Sequence, residues 1–225
     1  MKFAKYGVTV SRMKEEEIEM VRQWRNDPVV VANYAFREYI TPEMQKEWFR
    51  SISNERFLYC IIEYKGERIG VINLKNIDWE TRTAETGIFI PDMRYHDTPA
   101  TPIVSYMTTE SLFNLFDWNT LYGHVLKGNA AVSAFVRQLG YELMPGQEEI
   151  ENQQYVVTRE RFDRRPQRIR NAIHALAADT EPGWCLVEPS DNDDKVILRF
   201  EEIIRKNPKI LSQEITDKGR LYLFP

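Results

Sequence analysis

Three strand-like runs follow one another between Phe57 and Pro91 with only short breaks between them, and this constrains the fold most. Phe57 to Tyr64 is rich in aromatic and branched residues, and Lys65-Gly66 supplies a turn. Arg68 to Leu74 and Thr83 to Ile90 complete an antiparallel meander that Pro91 ends. Helical patterns lie on either side. Glu15 to Asn26 sets Ile18, Val21 and Trp24 at helical spacing until Pro28 breaks it. Thr41 as N-cap, Pro42 at the first helical position and Glu43 in the first turn announce a second helix, with Met44, Trp48 and Phe49 on its buried side.

After the meander the spacing predicts a helix over about Pro102 to Phe116 and a strand over Leu121 to Leu126. A short helix from Asn129 to Leu139, ended by Gly140, comes next, then a hairpin of Tyr141 to Leu143 with Tyr155 to Thr158. With Gly7 to Val10 as a first short strand, the order is β-α-α-β-β-β-α-β-α-β-β. This is a mixed α+β fold with a mostly antiparallel sheet flanked by helices, and by itself it carries no function.

The remainder reads as a small C-terminal α/β appendage. A helix over Arg164 to Leu176 carries Ile169, Ala172, Ile173 and Leu176 on one stripe, and Ala177 to Gly183 is linker-like. Then come a strand (Trp184 to Val187), a helix (Asp191 to Lys206, apolar at Val196, Phe200, Ile203 and Ile204) and a hairpin (Ile210 to Ile215, Arg220 to Phe224) turning at Lys218-Gly219. The expected organisation is a main domain over 1–163 and an extension over 164–225. That extension is too small to stand alone and is read as a partner-docking or homodimer element.

With 43% hydrophobic residues the chain can fill a core, which excludes disorder. Its formal charge of −4 is mixed along the chain, so no nucleic-acid partner is expected. The most basic stretch, Arg159 to Arg170, reads as a solvated helix start. Cys60 lies in an apolar run and reads as a buried thiol; there is no CxxC pair, and His96, His124 and His174 are far apart, so no metal is expected. The first residues lack an apolar signal region, and no run approaches 18 apolar residues. The expectation is a cytoplasmic protein with no membrane partner.

Four segments, in this order, resemble the GNAT N-acyltransferases. They are Arg22-Gln23-Trp24-Arg25-Asn26-Asp27, Glu47-Trp48-Phe49, Ala84 to Pro91, and Asn129 to Gly140-Tyr141. The nearest branch is that of ribosomal-protein alanine and amino-sugar-nucleotide N-acetyltransferases. The resemblance implies acetyl-CoA as cosubstrate, lying where two neighbouring strands splay, and direct attack by a primary amine of a small molecule, such as an amino-sugar nucleotide. It places Glu85 at the general-base position; His124, on the next strand, is read from its residue type as an alternative base near neutral pH. The resemblance assigns Ile88, Phe89, Ile90, Arg94, Ile103, Val104 and Asn129 to the coenzyme, and Arg22, Trp24, Arg25 and Asn26 to the acceptor pocket. Each also has an ordinary structural reading: Glu85 in an ion pair, His124 as a half-buried histidine, Asn129 as a helix N-cap, Trp24 in the core.

The sequence departs from the family where its phosphate loop, Q/R-x-x-G-x-G/A, should lie. Here stands Arg94-Tyr95-His96-Asp97-Thr98-Pro99, with Asp97 and Pro99 in place of the small residues. A carboxylate faces a diphosphate unfavourably, and Pro99 and Pro102 each remove an N–H. Three readings stay open: a loop that only starts a helix, a reshaped site using Arg94 and the amides of Ile103 and Val104, or a site for another anion. The family's usual thiolate acids are also missing, since Phe135 and Val132 occupy their positions; Ser133 is adjacent but points about 100° away on the helix. Tyr106 and Tyr122 are substitutes that no motif supports. A catalytically degenerate binding protein on the same scaffold is therefore the alternative to an enzyme.

Overall fold

The computed structural model describes residues 1–33, 38–96, 98–164, 167–177 and 181–225. Its first element is a hairpin where one strand was expected. Strands β1 (Lys2–Lys5) and β2 (Val8–Arg12) are joined by Tyr6 and Gly7, both at positive φ (57° and 70°), the backbone that a tight two-residue hairpin requires. Helices α1 (Ile18–Asn26), α2 (Pro28–Asn33) and α3 (Pro42–Ile52) follow. Thr41 caps α3 as expected, its hydroxyl accepting from the Met44 amide at 3.2 Å. Met44 itself is exposed and Gln45 is the buried residue of that turn, because the Gln45 side chain bonds the Ile18 carbonyl at 3.1 Å.

The meander is β3 (Leu58–Tyr64), β4 (Glu67–Asp78) and β5 (Thr83–Phe89). Helix α4 (Ala100–Asn114), β6 (Thr120–Leu126), α5 (Ala130–Gln138), β7 (Glu142–Leu143), β8 (Asn152–Thr158) and the short α6 (Arg159–Asp163) come next. Helix α4 begins two residues before the predicted start and holds Pro102 in its first turn, where no intrahelical N–H is needed. The chain ends with α7 (Gln167–Ala177), β9 (Gly183–Val187), α8 (Lys195–Lys206), β10 (Ser212–Thr216) and β11 (Gly219–Phe224).

Among the described residues, eleven strands form one sheet, in the order β10-β11-β9-β1-β2-β3-β4-β5-β6-β8-β7. Neighbours are antiparallel except β5 and β6, which are parallel. Residues 183–225 thus continue the main sheet: β9 pairs with β1 through Lys2↔Leu186 to Ala4↔Trp184. Helix α8 enters the same core. Its Phe200 ring lies 4.8 Å from Phe116, 5.1 Å from Trp79 and 6.2 Å from Trp118, centroid to centroid. Phe3 of β1 stacks on Phe224 of β11 at 5.0 Å. On α7 only part of the expected stripe is buried, Ile173 inside and Leu176 exposed.

Strand alternation divides the sheet into two faces. Leu58, Cys60, Ile72, Leu74, Ala84, Leu121 and Val125 pack with α4 and α8 in the larger core. Tyr59, Ile61, Val71 and Phe89 pack with Val21 of α1 and Ile52 of α3 in the smaller one. Lys75, Glu85, Tyr122 and His124 share the register of this second face.

From the shared core we infer that the tail folds as one unit with the rest. Phe200→Ala is expected to cost about 3–5 kcal/mol and to move fluorescence and circular-dichroism transitions together. An early transition of the tail alone would show separate folding. Glu201 adds a pH dependence. It is buried on α8 and accepts from Arg220 Nη2 at 2.8 Å, from Arg220 Nε and from Tyr222 at 2.6 Å. Burial pushes its carboxyl up, and the Arg220 and Tyr222 bonds outweigh that, leaving it below the ordinary 4.5. A folded carboxyl held low contributes stability above the unfolded value and loses it as pH falls through the folded one. Urea midpoints are expected to fall below about pH 4.5, with a shallower fall and a lower neutral-pH midpoint in Glu201→Gln.

Candidate active site

Strands β5 and β6 run together only as far as Thr86↔Gly123. Beyond that point β5 stays with β4, through Gly87↔Asn73 to Phe89↔Val71, while β6 stays with β8 to Leu126↔Asn152. Each strand follows its other neighbour, and no ladder pair joins the two past Thr86 and Gly123. The result is a fork that opens toward the loop after β5 and the start of α5.

On the face covered by α1 and α3, the fork carries Glu85 and His124. Lys75 lies opposite Glu85 in the ladder, its ammonium 2.6 Å from Glu85 Oε1. His124 Nδ1 lies 3.3 Å from the same oxygen, and Asn76 donates to Oε2 at 3.3 Å. Asn76 reaches it because β4 has an irregularity between Lys75 and Asp78 and Asn76 takes a positive φ of 51°, a conformation asparagine tolerates. Burial raises the Glu85 carboxyl, but Lys75, His124 and Asn76 together bring it below its ordinary value. Glu85 is therefore held as a carboxylate and is a weak proton acceptor, well suited to fixing the imidazole beside it.

The same face continues toward α1 and α3. The Arg25 guanidinium lies 5.5 Å from the centroid of Trp48, whose ring meets Tyr59 edge-on at 5.1 Å. Burial lowers the Arg25 pKa. Asn73 lies between Tyr59 and Gly87 in the ladder, with its Oδ1 buried and without a hydrogen bond among the described residues. A Cβ at Gly87 would stand 3.1 Å from that oxygen, so glycine leaves the room that Asn73 occupies. Trp24 packs on the smaller core as an apolar residue. Arg22 bonds Glu19 and the Ile40 carbonyl, and Asn26 exchanges two bonds with the Ile40 backbone (2.8 and 2.9 Å). These two residues anchor the chain entering α3, while Arg25 is the member of the segment directed to the Trp48 ring.

On the opposite face, the Thr86 hydroxyl donates to the Tyr122 carbonyl at 3.1 Å and meets Tyr141 Oη at 3.3 Å. Burial raises the Tyr141 pKa. Asn129 caps α5, its Oδ1 accepting from the Val132 amide at 3.1 Å. Ser133 Oγ lies 2.8 Å from Tyr155 Oη. Tyr106, by contrast, is buried and donates to Glu110 at 3.0 Å; burial and that carboxylate push its pKa up. Strand alternation could not announce Lys75, Asn73 or the Ser133–Tyr155 pair, because the pairing register that brings them in is not written in any one segment.

The loop after β5 departs from a simple anion cradle. Arg94 is exposed and paired with Asp92 at 2.6 Å and Glu67 at 4.0 Å, and the Asp92 bonds raise its pKa. The Ile90 carbonyl meets His96 Nε2 at 2.9 Å. At the start of α4 the Ala100 amide bonds Thr98 Oγ1 at 3.3 Å and the Ile103 amide bonds the Pro99 carbonyl at 3.0 Å. Ile103 and Val104 are fully buried. Ile88 packs against the larger core and Phe89 against the smaller, on opposite faces of β5. Asp97 lies outside the described residues.

Among the described residues, no group of three histidine, cysteine or acidic side chains could hold a metal, and no helix is long and apolar enough to cross a membrane. Comparison with curated protein sequences finds no match. Solved structures share the fold at low identity. A spermidine N-acetyltransferase from Vibrio cholerae in complex with CoA and spermine superposes with a TM-score of 0.61 at 14% identity, covering 70% of this chain and 99% of that one. FdhC, a nucleotide-linked sugar GNAT in its apo form, gives 0.60 at 19%, covering 77% and 97%. A domain from Methanocaldococcus jannaschii gives 0.57 at 17%, covering 67% and 97%. The acetyltransferase (GNAT) domain model matches residues 8–142, which span β2 to β7 and contain the whole fork, and the chain therefore belongs to the GNAT acetyltransferase family.

Proposed function

We propose that this protein transfers an acetyl group from acetyl-CoA to a primary amine of a small molecule. The observation that carries the reading is the fork after Thr86↔Gly123 with a carboxylate–imidazole pair on its acceptor face. An amine attacks a thioester only when neutral, so a base beside the fork has a task. His124 Nε2 is that base, with Nδ1 held by Glu85 and the Glu85 charge held by Lys75. Glu85 is thus a positioning residue and His124 the proton acceptor.

The acceptor wall supports the finer reading of an amino-sugar nucleotide. Trp48 and Tyr59 present rings on which a base or sugar can lie, and Arg25 and Lys75 add cations suited to phosphate. The FdhC neighbour is a nucleotide-linked sugar enzyme by name, whereas a polyamine would meet these cations unfavourably. A non-catalytic binding role is the second reading. It is favoured by the start of α4, where Pro99 and Pro102 have no N–H and the Ile103 amide is already bonded.

Acetyl-CoA at about 100 times its dissociation constant should stabilise the protein by about 2.7 kcal/mol, seen as a thermal shift and confirmed by calorimetry; no shift at millimolar coenzyme favours the second reading. Given binding, His124→Gln should lower kcat by about 10²-fold or more while leaving coenzyme affinity nearly unchanged. Glu85→Gln should also lower kcat, by less. Equal rates in the parent and His124→Gln would remove His124 from the chemistry.

A further inference from the structure

On the sheet's second face, α1 and α3 pack over β3, β4 and β5, with Ile61, Val71 and Phe89 in the smaller core. The same face continues across β1, β9, β11 and β10. Four apolar side chains stand together there, Trp184 and Leu186 of β9 opposite Leu223 and Leu221 of β11. Each is only partly buried, and none packs into either core. Cys185 and Tyr222, which alternate with them, are fully buried on the other face. A solvated face of an antiparallel sheet ordinarily carries polar side chains, and a tryptophan with three leucines departs from that pattern. A hollow of about 330 Å³ beside Trp184, walled also by Ala4, Thr9 and Glu63, leaves that flank open.

The register gives the patch a symmetry of its own. One row across the sheet reads Glu214, Leu221, Leu186, Lys2, on β10, β11, β9 and β1 in turn. Its ends carry opposite charges, roughly 14 Å apart at about 4.8 Å per strand. Glu214 is exposed, and the Lys2 side chain is 45% exposed with Nζ 3.4 Å from Glu188. A two-fold axis parallel to the strands, between β9 and β11, turns this row onto itself. Leu221 of one copy then meets Leu186 of the other, and Glu214 meets Lys2, twice over. The neighbouring row sets Leu223 on Trp184 in the same way.

We propose that a second copy of this chain docks on this face, sheet on sheet, in an isologous pair. The proposal is independent of the transferase reading. Opposite charges at the two ends of one row suit a second copy better than a partner of a single sign. Four strands of about five residues give a footprint of roughly 300 Å², below the roughly 800 Å² per partner of a stable interface. The pair is therefore weak and concentration-dependent.

Sedimentation equilibrium on the full chain, from low micromolar to near-millimolar concentration, should show monomer and dimer in exchange. Leu221→Asp should raise the dimer Kd by about tenfold or more. Glu214→Lys should raise it by about 3- to 30-fold, since the two-fold repeats each change. Adding Lys2→Glu to Glu214→Lys should recover most of that loss. Circular dichroism checks that each variant is folded, and the charge exchange, at the surface, carries the test if Leu221→Asp does not fold. A monomer at every concentration overturns the proposal and leaves the patch to a partner of other chemistry. A dimer that Leu221→Asp and Glu214→Lys leave unchanged overturns it too, as does a loss in Glu214→Lys that the exchange fails to recover.

Discussion

Beyond Thr86↔Gly123, β5 and β6 no longer hold each other, and the site exists because each has a stronger commitment elsewhere. Three more ladder pairs keep β5 on β4 and three more keep β6 on β8. A parallel pair forms slightly weaker hydrogen bonds per residue than an antiparallel one, so this is the contact that gives way as the twisted strands diverge. The opening is therefore a property of the register, and groups on both faces of the sheet come to border it. Glu85, Tyr122 and His124 reach it from one side, and Thr86 and Tyr141 from the other.

The C-terminal segment supports this arrangement at a distance. Without β9, strand β1 would be a sheet edge with unpaired N–H and C=O groups, a template for aggregation. With β9, β11 and β10 in place, the edge moves to a strand whose residues are mostly exposed. Helix α8 closes the larger core with Phe200 against Trp79 and Trp118, which flank β5 and β6 at the closed end of the fork. The tail thus braces the end where the strands are joined and leaves the open end free.

The meander, α1, α3, β6 and α5 were legible because each is amphipathic or punctuated by turn and cap residues, such as Thr41-Pro42 and Lys65-Gly66. The β1–β2 hairpin was half-missed because Lys2–Lys5 presents only two buried residues, too few for a periodic signal. Helix α4 is buried nearly all round, so periodicity located it less sharply than its neighbours. The tail's place in the sheet was not legible, since strand order depends on long-range pairing. The same limit applies to the site. Glu85 and His124 were visible as residue types on strands, but Lys75 opposite Glu85 and Tyr155 opposite Gly123 emerge only from register.

The two ends of the site carry different physical costs. At the fork, backbone, carboxylate, imidazole and hydroxyl groups are arranged around one opening. At the start of α4, an intrahelical bond and two imino acids remove amides that a diphosphate would use. Each such hydrogen bond to a charged group is worth about 1.5–3 kcal/mol, so on the proposed reading the two amides lost to Pro99 and Pro102 alone weaken coenzyme binding by roughly two to four powers of ten. That loss acts on ground state and transition state alike, because the diphosphate does not change during the chemistry. It raises KM and leaves the barrier from the bound complex untouched. On the proposed transferase reading, a chain altered only at this loop is thus compatible with transfer at high coenzyme concentration.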